Sequence, residues 1–281
     1  MSLQGPHNHK RLVNRLPRVL LGMAIACTLT LNLHADETAP GVRLTSGHWP
    51  PYMEYTPPYF GVISHIVSLA FAKHDTSVTY GFFPWSRALM LAKKGLWDGS
   101  VAWTCRPEML RHFLFSDPIV AHNYVLFHRA SMDFDWDQVE DLESYRIGLT
   151  QDYNYGETFE EAVAAGTINA EKTTSDIANF RKLAAGRIDL FPMEPAVGME
   201  MLQELKLENK ITFHSTPLQS DYLYLILSRR VPESEQYLKA FNDGLSTLRE
   251  SGRLEELIDS SLPDFPVRYL VVEDEDSQCR E

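Results

Sequence analysis

The chain has 281 residues, with 26 Lys and Arg against 38 Asp and Glu, and a formal charge of −12 at pH 7. Residues 1–35 hold four of the basic side chains and none of the acidic ones. The other 246 residues therefore carry 22 basic against 38 acidic side chains, a formal charge of −16. This acidic balance repels nucleic acids and anionic lipid, which argues against a DNA or RNA partner. A chain of 246 residues is long enough for one large domain or two lobes.

The first 35 residues have the pattern of a cleavable secretory signal peptide. A basic start at Lys10–Arg18 precedes a mostly apolar run over residues 19–33, and Leu33-His34-Ala35 offers a cleavage site. The run is shorter than the roughly 20 residues that span a bilayer. An uncleaved anchor and lipid attachment at Cys27 remain alternatives. We predict export to the periplasm.

Processing would leave Cys105 and Cys279, which are too few for a disulfide scaffold. Cys279 lies in an acidic stretch, residues 266–281, that is predicted to be a loose tail. The sequence leaves open whether these two cysteines pair.

Strand and helix patterns alternate after the signal, which predicts an α/β fold. Strands are expected over residues 42–45, 78–83, 100–103, 146–149 and 189–191. Helices are expected over residues 61–74, 84–95, 157–165, 175–185 and 232–252, with a shorter helix at 254–258.

The two halves of the chain repeat one joint between helix and strand. Gly95-Leu96-Trp97-Asp98 and Gly186-Arg187-Ile188-Asp189 both follow a predicted helix and precede a predicted strand. Apolar stretches at 124–127 and 222–227 would connect two lobes built on one plan. We therefore expect a discontinuous lobe 1 over residues 36–125 plus 222–265, and lobe 2 over residues 126–221.

In the first lobe, candidate ligand-binding residues follow two predicted strands. Trp49 and Tyr52 flank two prolines in a rigid loop, and Trp103, Thr104 and Arg106 follow the next strand. Arg106 could hold a carboxylate. The alternatives are a packed aromatic corner at Trp49 and a surface ion pair from Arg106 to Glu108 or Asp117.

In the second lobe, Tyr153, Asn154 and Tyr155 precede a helix whose free N–H groups attract a carboxylate. Glu194 follows a strand, and its carboxylate could accept a hydrogen bond from an ammonium group. The alternatives are helix capping by Asn154 and a helix N-terminal acid at Glu194.

The ten histidines show no metal-ligand spacing, so no metal site is predicted. No nucleotide-binding or serine-hydrolase motif is present either, and no cofactor is expected.

Together, several stretches resemble the bacterial extracellular solute-binding proteins of family 3, the polar amino-acid receptors. The resemblance covers residues 42–262. The stretches are Trp49-Pro50-Pro51-Tyr52, Gly61, Pro84-Trp85-Ser86-Arg87-Ala88, Phe115-Ser116-Asp117-Pro118, Ala185-Gly186-Arg187-Ile188-Asp189, Glu194-Pro195 and Ser251-Gly252.

The resemblance implies a periplasmic-binding-protein type II fold, with two lobes, two hinge crossovers and a ligand between them. It implies that Glu194 holds a ligand's ammonium group and that Thr104 and its neighbours line the cleft. Three family features are replaced here: Met109 occupies the usual arginine position, Tyr153-Asn154-Tyr155-Gly156 replaces a Gly-Ser-Thr loop, and His65 replaces an acid.

The expected function is capture of a small polar, amine-bearing or amino-acid-like ligand for transport or sensing. We expect the protein to be a monomer, and its partner to be an ABC permease or a sensor. The alternative is a periplasmic enzyme on the same scaffold, similar to cyclohexadienyl dehydratases, with Glu194 as general acid. Turnover of prephenate or arogenate would distinguish the two.

Overall fold

The computed structural model describes residues 41–151 and 153–262, all within one compact unit, Thr38–Glu281. The predicted signal peptide and acidic tail lie outside the described residues. Along the described residues, strands and helices alternate as the sequence predicts. The strands are β1 (Val42–Ser46), β2 (Val78–Phe82), β3 (Gly99–Trp103), β4 (Phe113–Phe115), β5 (Val120–Arg129), β6 (Arg146–Thr150), β7 (Asn169–Thr173), β8 (Leu190–Met193) and β9 (Ile211–Ser228).

The helices follow the strands at short intervals. They are α1 (Val62–Ala72), α2 (Trp85–Lys93), α3 (Pro107–Leu110), α4 (Glu157–Ala165), α5 (Asp176–Ala184), α6 (Pro195–Leu205), α7 (Ser234–Glu250) and α8 (Arg253–Ser261), with a 3-10 turn at Val139–Leu142. Two predicted starts shift slightly. Pro84 is the N-cap of α2 rather than its first residue, and α7 begins at Ser234 rather than at Pro232. No helix in the described part of the chain is long and apolar enough to cross a membrane.

The strands form a sheet in the order β2-β1-β3-β9-β5-β8-β6-β7, with β4 paired to β9. At one end β1 pairs in parallel with β2 and β3, and at the other end β6 pairs in parallel with β7 and β8. Each half thus places its first strand between its second and third. This shared topology supports the plan that the sequence repeat suggested.

The two halves are joined by β5 and β9, which run antiparallel to each other along the middle of the sheet. The later part of β9 also pairs with β3 and β4 on one side, while β5 pairs with β8 on the other. The chain therefore passes between the halves twice. The predicted lobe boundaries fall at residue 125 inside β5 and residue 222 inside β9, and we keep them as a proposal.

The largest apolar cluster extends through both halves. It joins Leu44 and Ile66 from one end of the sheet to Phe180 and Val197 from the other, all of them fully buried. Two smaller clusters lie farther out, one around Phe159 and one around the residues of α2 and β4. Burial of this apolar surface is the main favourable contribution to folding.

In the first half of the sheet, the aspartate of the repeated joint accepts hydrogen bonds from both the backbone and the side chain of an arginine on the neighbouring strand. We call this arrangement a carboxylate clamp. Gly95 has a φ of 70°, which glycine adopts without strain, and ends α2. Asp98 then accepts hydrogen bonds from the backbone N–H of Arg43 at 2.8 Å and from its Nη2 at 2.7 Å. The aspartate thereby joins the start of β3 to β1.

The second half repeats this clamp at Asp189. Gly186 has a φ of 68°, and Asp189 accepts from the backbone N–H of Arg146 at 3.1 Å and from its Nε at 2.9 Å. Arg129 Nη2 donates to the same carboxylate at 3.0 Å. Hydrogen bonding from Arg146 holds the pKa of Asp189 well below its usual range.

We predict that Asp189→Asn lowers the free energy of unfolding at pH 7 by about 2 kcal/mol, since hydrogen bonds to charged groups contribute about that much. The lowered pKa means that the wild-type contribution is present above about pH 4 and is lost as the pH falls below it. Urea unfolding at pH 7 and pH 3 measures both effects. The exposed Asp133→Asn is the control. An equal loss at both pH values would contradict this role for the carboxylate.

Candidate functional site

A cavity of about 60 Å³ lies where the two halves of the sheet meet. This volume is several times the roughly 10–15 Å³ that one water molecule needs. Among the residues that the structure describes, the side chains that line the cavity are mostly aromatic. The lining residues are Trp49, Trp85, Ala102, Trp103, Thr104, Arg106, His122, Tyr124, Tyr153, Asn154 and Leu223.

The loop after β1 forms one wall. Trp49 and Met53 exchange backbone hydrogen bonds at 2.8 and 3.0 Å around the two prolines, so the loop closes on itself. Trp49 stacks on Tyr52 with ring centroids 4.9 Å apart and meets Trp85 edge-on at 6.5 Å. Trp49 therefore lines the cavity while also belonging to a packed aromatic corner, the alternative that the sequence left open.

A bulge in β3 forms the next wall. Ala102 has a φ of 66°, a left-handed conformation that costs a residue with a side chain about 1 kcal/mol or more, and the pairing with β9 shifts register there. The bulge re-aims the chain, so that Trp103 and Thr104 both line the cavity. Trp103 is held by its indole N–H, which donates to Ser100 Oγ at 2.7 Å.

Arg106 lines the cavity from the residue before α3. Its Nε lies 3.8 Å from Glu108 Oε1, which is the surface ion pair expected as its alternative. Both side chains are partly exposed, so this pair holds Arg106 only weakly. Met109, at the position where the family usually has arginine, is buried against Phe113 in an apolar cluster.

Cys105 stands between two cavity-lining residues and is disulfide-bonded. Cys27 and Cys279 are the other cysteines of the chain, so the partner lies outside the described residues.

The loop after β6 forms the opposite wall. Tyr153 lines the cavity and donates from its hydroxyl to Asp176 Oδ2 at 2.9 Å. Thr150 donates to the other oxygen of Asp176 at 2.5 Å. Burial raises the pKa of Asp176, which sits in the first turn of α5. This carboxylate, which the sequence analysis missed, holds the wall residue Tyr153 in place.

Asn154 and Tyr155 differ in position. Asn154 lines the cavity, and its Oδ1 also accepts from the Gly156 N–H at 3.3 Å, beside the start of α4. Tyr155 is buried behind the wall, where its hydroxyl accepts from the Thr150 N–H at 2.8 Å. Tyr155 supports the loop rather than lining the cavity.

Glu194 is fully buried and caps the N-terminus of α6. Its Oε2 accepts from the Val197 N–H at 2.8 Å, and its Oε1 accepts from the Tyr52 hydroxyl at 3.0 Å. The helix-capping alternative is thus present. Neither Glu194 nor Tyr52 is among the described residues that line the cavity. Their hydrogen bond instead links the loop after β1 to α6, across the two predicted lobes.

The predicted roles of Glu194 in ammonium binding and in acid catalysis remain predictions. Both hydrogen bonds use the carboxylate oxygens as acceptors.

The strands that join the halves contribute wall residues that the sequence analysis did not select. His122 and Tyr124 come from β5, and Leu223 comes from β9. Burial lowers the pKa of His122 to about 4, so its ring is neutral at pH 7. Asp221, opposite His122 on β9, has its pKa raised to about 6 by burial.

Six of the nine predicted binding residues therefore line one cavity. Four come from the first half and two from the second: Trp49, Trp103, Thr104, Arg106, Tyr153 and Asn154. Tyr52, Tyr155 and Glu194 lie behind the walls. Their predicted contact with a ligand remains a prediction.

We predict that Ala102→Gly leaves the free energy of unfolding unchanged or raises it, because glycine adopts a φ of 66° without strain. The control is Ala121→Gly, a buried strand residue of ordinary φ, which should cost about 1 kcal/mol. Urea unfolding of both variants measures the difference. Equal losses in the two variants would contradict the strain at Ala102.

We predict that Tyr52→Phe lowers the free energy of unfolding by about 2 kcal/mol, because it removes a buried hydrogen bond to the Glu194 carboxylate. Tyr55→Phe, at a ring that is 59% exposed, is the matched control and should change little. Thermal and urea unfolding test both variants. A Tyr52→Phe protein as stable as the control would show that the bond contributes nothing.

No protein-family model matches the chain, and no curated protein matches its sequence. Several solved structures match its fold. A histidine kinase sensor domain with similarity to periplasmic binding proteins has a TM-score of 0.65 and is 20% identical, covering 79% of this chain and 96% of that one. An ancestral arginine-binding protein bound to arginine has a TM-score of 0.66 at 16% identity, covering 79% and 98%.

A third structure, the GluR0 ligand-binding core from Nostoc punctiforme in complex with L-glutamate, has a TM-score of 0.62 at 17% identity and covers 78% and 98% of the two chains. At such identities the likeness establishes architecture and not activity. The chain has the predicted α/β fold, the two-lobe arrangement of periplasmic binding proteins.

Proposed function

We propose that this protein captures a small polar, amine-bearing or amino-acid-like solute between its two lobes, for uptake or sensing. The observation that carries the proposal is the origin of the cavity walls. Trp49 and Thr104 come from the first half of the sheet and Tyr153 and Asn154 from the second. A solute in this cavity would touch both halves, so its binding would favour the closed arrangement.

The chemistry of the walls supports a small organic solute. Aromatic faces from Trp85, Trp103 and Tyr153 surround the cavity, and they can stack on a planar group or attract an amine through cation–π contact. Arg106 brings a guanidinium that can pair with a carboxylate. A site with aromatic walls and few polar groups is typical of small-molecule pockets.

The similar structures support the same class of function. Two of them are described as bound to arginine or to L-glutamate, and another as the substrate-binding protein of an amino acid ABC transporter. The histidine kinase sensor domain shows that the same fold also occurs in sensors. Because the fold occurs in both settings, we propose either an inner-membrane ABC permease or a sensor as the partner. We place the protein in the periplasm.

The free energy of solute binding must be large enough to drive closure of the two lobes. A solute bound with a micromolar dissociation constant provides about −8 kcal/mol. Only the part of this energy that differs between the open and closed arrangements drives closure. The solute must therefore make contacts with the second lobe that it gains only on closing, and Tyr153 and Asn154 are placed to make them.

We predict that at least one compound among the twenty L-amino acids, simple amines and aromatic acids stabilises the protein in a thermal-shift screen. At 100 times its dissociation constant, a ligand adds about 2.7 kcal/mol, a shift of several degrees for a protein of this size. Prephenate and arogenate belong in the screen, with product analysis to detect an enzyme.

Two variants test whether such binding uses the cavity. Thr104→Trp places an indole in the cavity and should abolish the shift. Thr79→Trp makes the same change at an exposed position of β2 and should preserve it. A hit that stabilises both variants equally would place binding elsewhere, and a screen without hits would contradict the proposed function.

A further inference from the structure

Three residues of the cavity wall carry buried polar atoms without a hydrogen-bond partner among the residues that the structure describes. The atoms are Trp49 Nε1, Arg106 Nε and both ring nitrogens of His122. The contact from Arg106 Nε to Glu108 is 3.8 Å long, beyond hydrogen-bond range. Buried polar groups are nearly always paired, because an unpaired one loses its hydration without compensation. Three such residues around one cavity therefore need a physical explanation.

Two of these residues pack against each other in the cavity wall. Trp49 comes from the loop after β1 and His122 from β5, and their rings meet edge-on with centroids 6.0 Å apart. His122 also packs edge-on against Tyr124 at 5.0 Å. Both side chains are at least nine-tenths buried, so bulk water does not satisfy their nitrogens.

The two side chains offer a defined set of hydrogen bonds. Trp49 provides an indole N–H, which is a donor only. His122 is neutral at pH 7, so one ring nitrogen donates and the other accepts. The pair thus presents two donors and one acceptor. The donors match an oxygen with free lone pairs, such as that of a carboxylate or carbonyl group.

We propose that Trp49 and His122 are specificity-determining residues that recognise a carboxylate or carbonyl oxygen of the bound solute. The inference rests on the proposed function and adds a requirement to it. Amines that lack an oxygen acceptor are rejected, because they would leave both donors unpaired. The Arg106 guanidinium near the same cavity favours an acceptor that carries negative charge.

This role predicts that substitutions at the two residues affect stability and solute binding differently. If the two polar groups are kept for a solute, replacing the His122 ring with a phenyl ring removes unsatisfied groups and does not destabilise the protein without solute. The same replacement weakens solute binding. A purely structural role for the two side chains predicts the opposite pattern, with lower stability and unchanged binding.

The test compares the wild-type protein with four variants. Trp49→Phe and His122→Phe remove the polar atoms and keep an aromatic ring, and His122→Asn restores a donor and an acceptor. Trp97→Phe makes the tryptophan change at a half-buried site that does not line the cavity. The probes are the twenty L-amino acids together with L-lactate and isopropylamine. L-alanine, L-lactate and isopropylamine share a three-carbon skeleton and differ in their polar groups.

We expect His122→Phe to melt at or above the wild-type temperature without probe, whereas Trp49→Phe also loses ring volume from its packed corner. We also expect each to bind the active probes at least tenfold more weakly by titration calorimetry. His122→Asn should recover part of the affinity, Trp97→Phe should keep all of it, and isopropylamine should not bind. Unchanged affinity in both phenylalanine variants, or tight binding of isopropylamine, would overturn the inference.

A wild-type protein that binds no probe would contradict the proposed function instead. The melting temperatures without probe would then still decide the inference. A fall in both Trp49→Phe and His122→Phe relative to Trp97→Phe would show that the two side chains serve packing, and would overturn it.

Discussion

The antiparallel pairing of β5 with β9 holds the two halves of the sheet together. These two strands carry the chain from one half of the sheet to the other and back, and each half adds three parallel strands to them. The cavity lies along this pairing because His122, Tyr124 and Leu223 point into it from the joining strands. A change in their register would move these residues and separate the walls that the two halves supply.

Several local irregularities lie around the cavity. Ala102 adopts a left-handed conformation in the β3 bulge, and the buried nitrogens of Trp49 and His122 have no partner among the described residues. The clamps at Asp98 and Asp189, by contrast, satisfy their carboxylates with several hydrogen bonds. Strain and unpaired polar groups persist where the surrounding fold is stable enough to hold them, and such places are often functional.

Much of the fold could be predicted because its signals are local. The helix α4 was predicted at its observed bounds, with three acidic side chains in its first turns that suit the helix dipole, and the repeated Gly-x-x-Asp joints indicated the shared plan of the halves. The edge strand β7 was missed because Asn169–Thr173 is polar and mostly exposed, so it lacks the alternation of a half-buried strand. The helix α6 was missed as an element, although Glu194-Pro195 indicated its start.

The site was harder to predict, since long-range contacts decide which side chains meet. Loops at strand ends pointed to Trp49, Thr104 and Tyr153, which line the cavity, because such ends lie at one edge of a sheet. The role of His122 depends on the course of β5 past the cavity, and Glu194 makes a partnership with Tyr52 across 142 positions of sequence. No local pattern contains either fact.

We propose that a small solute binds between the two halves of this sheet. A crystal structure grown with the compound that stabilises the protein most would show where the solute lies. We expect density for that compound in contact with Trp49 and Arg106 on one side and with Tyr153 and Asn154 on the other. Density on an outer surface, with the cavity walls unchanged and untouched, would contradict it.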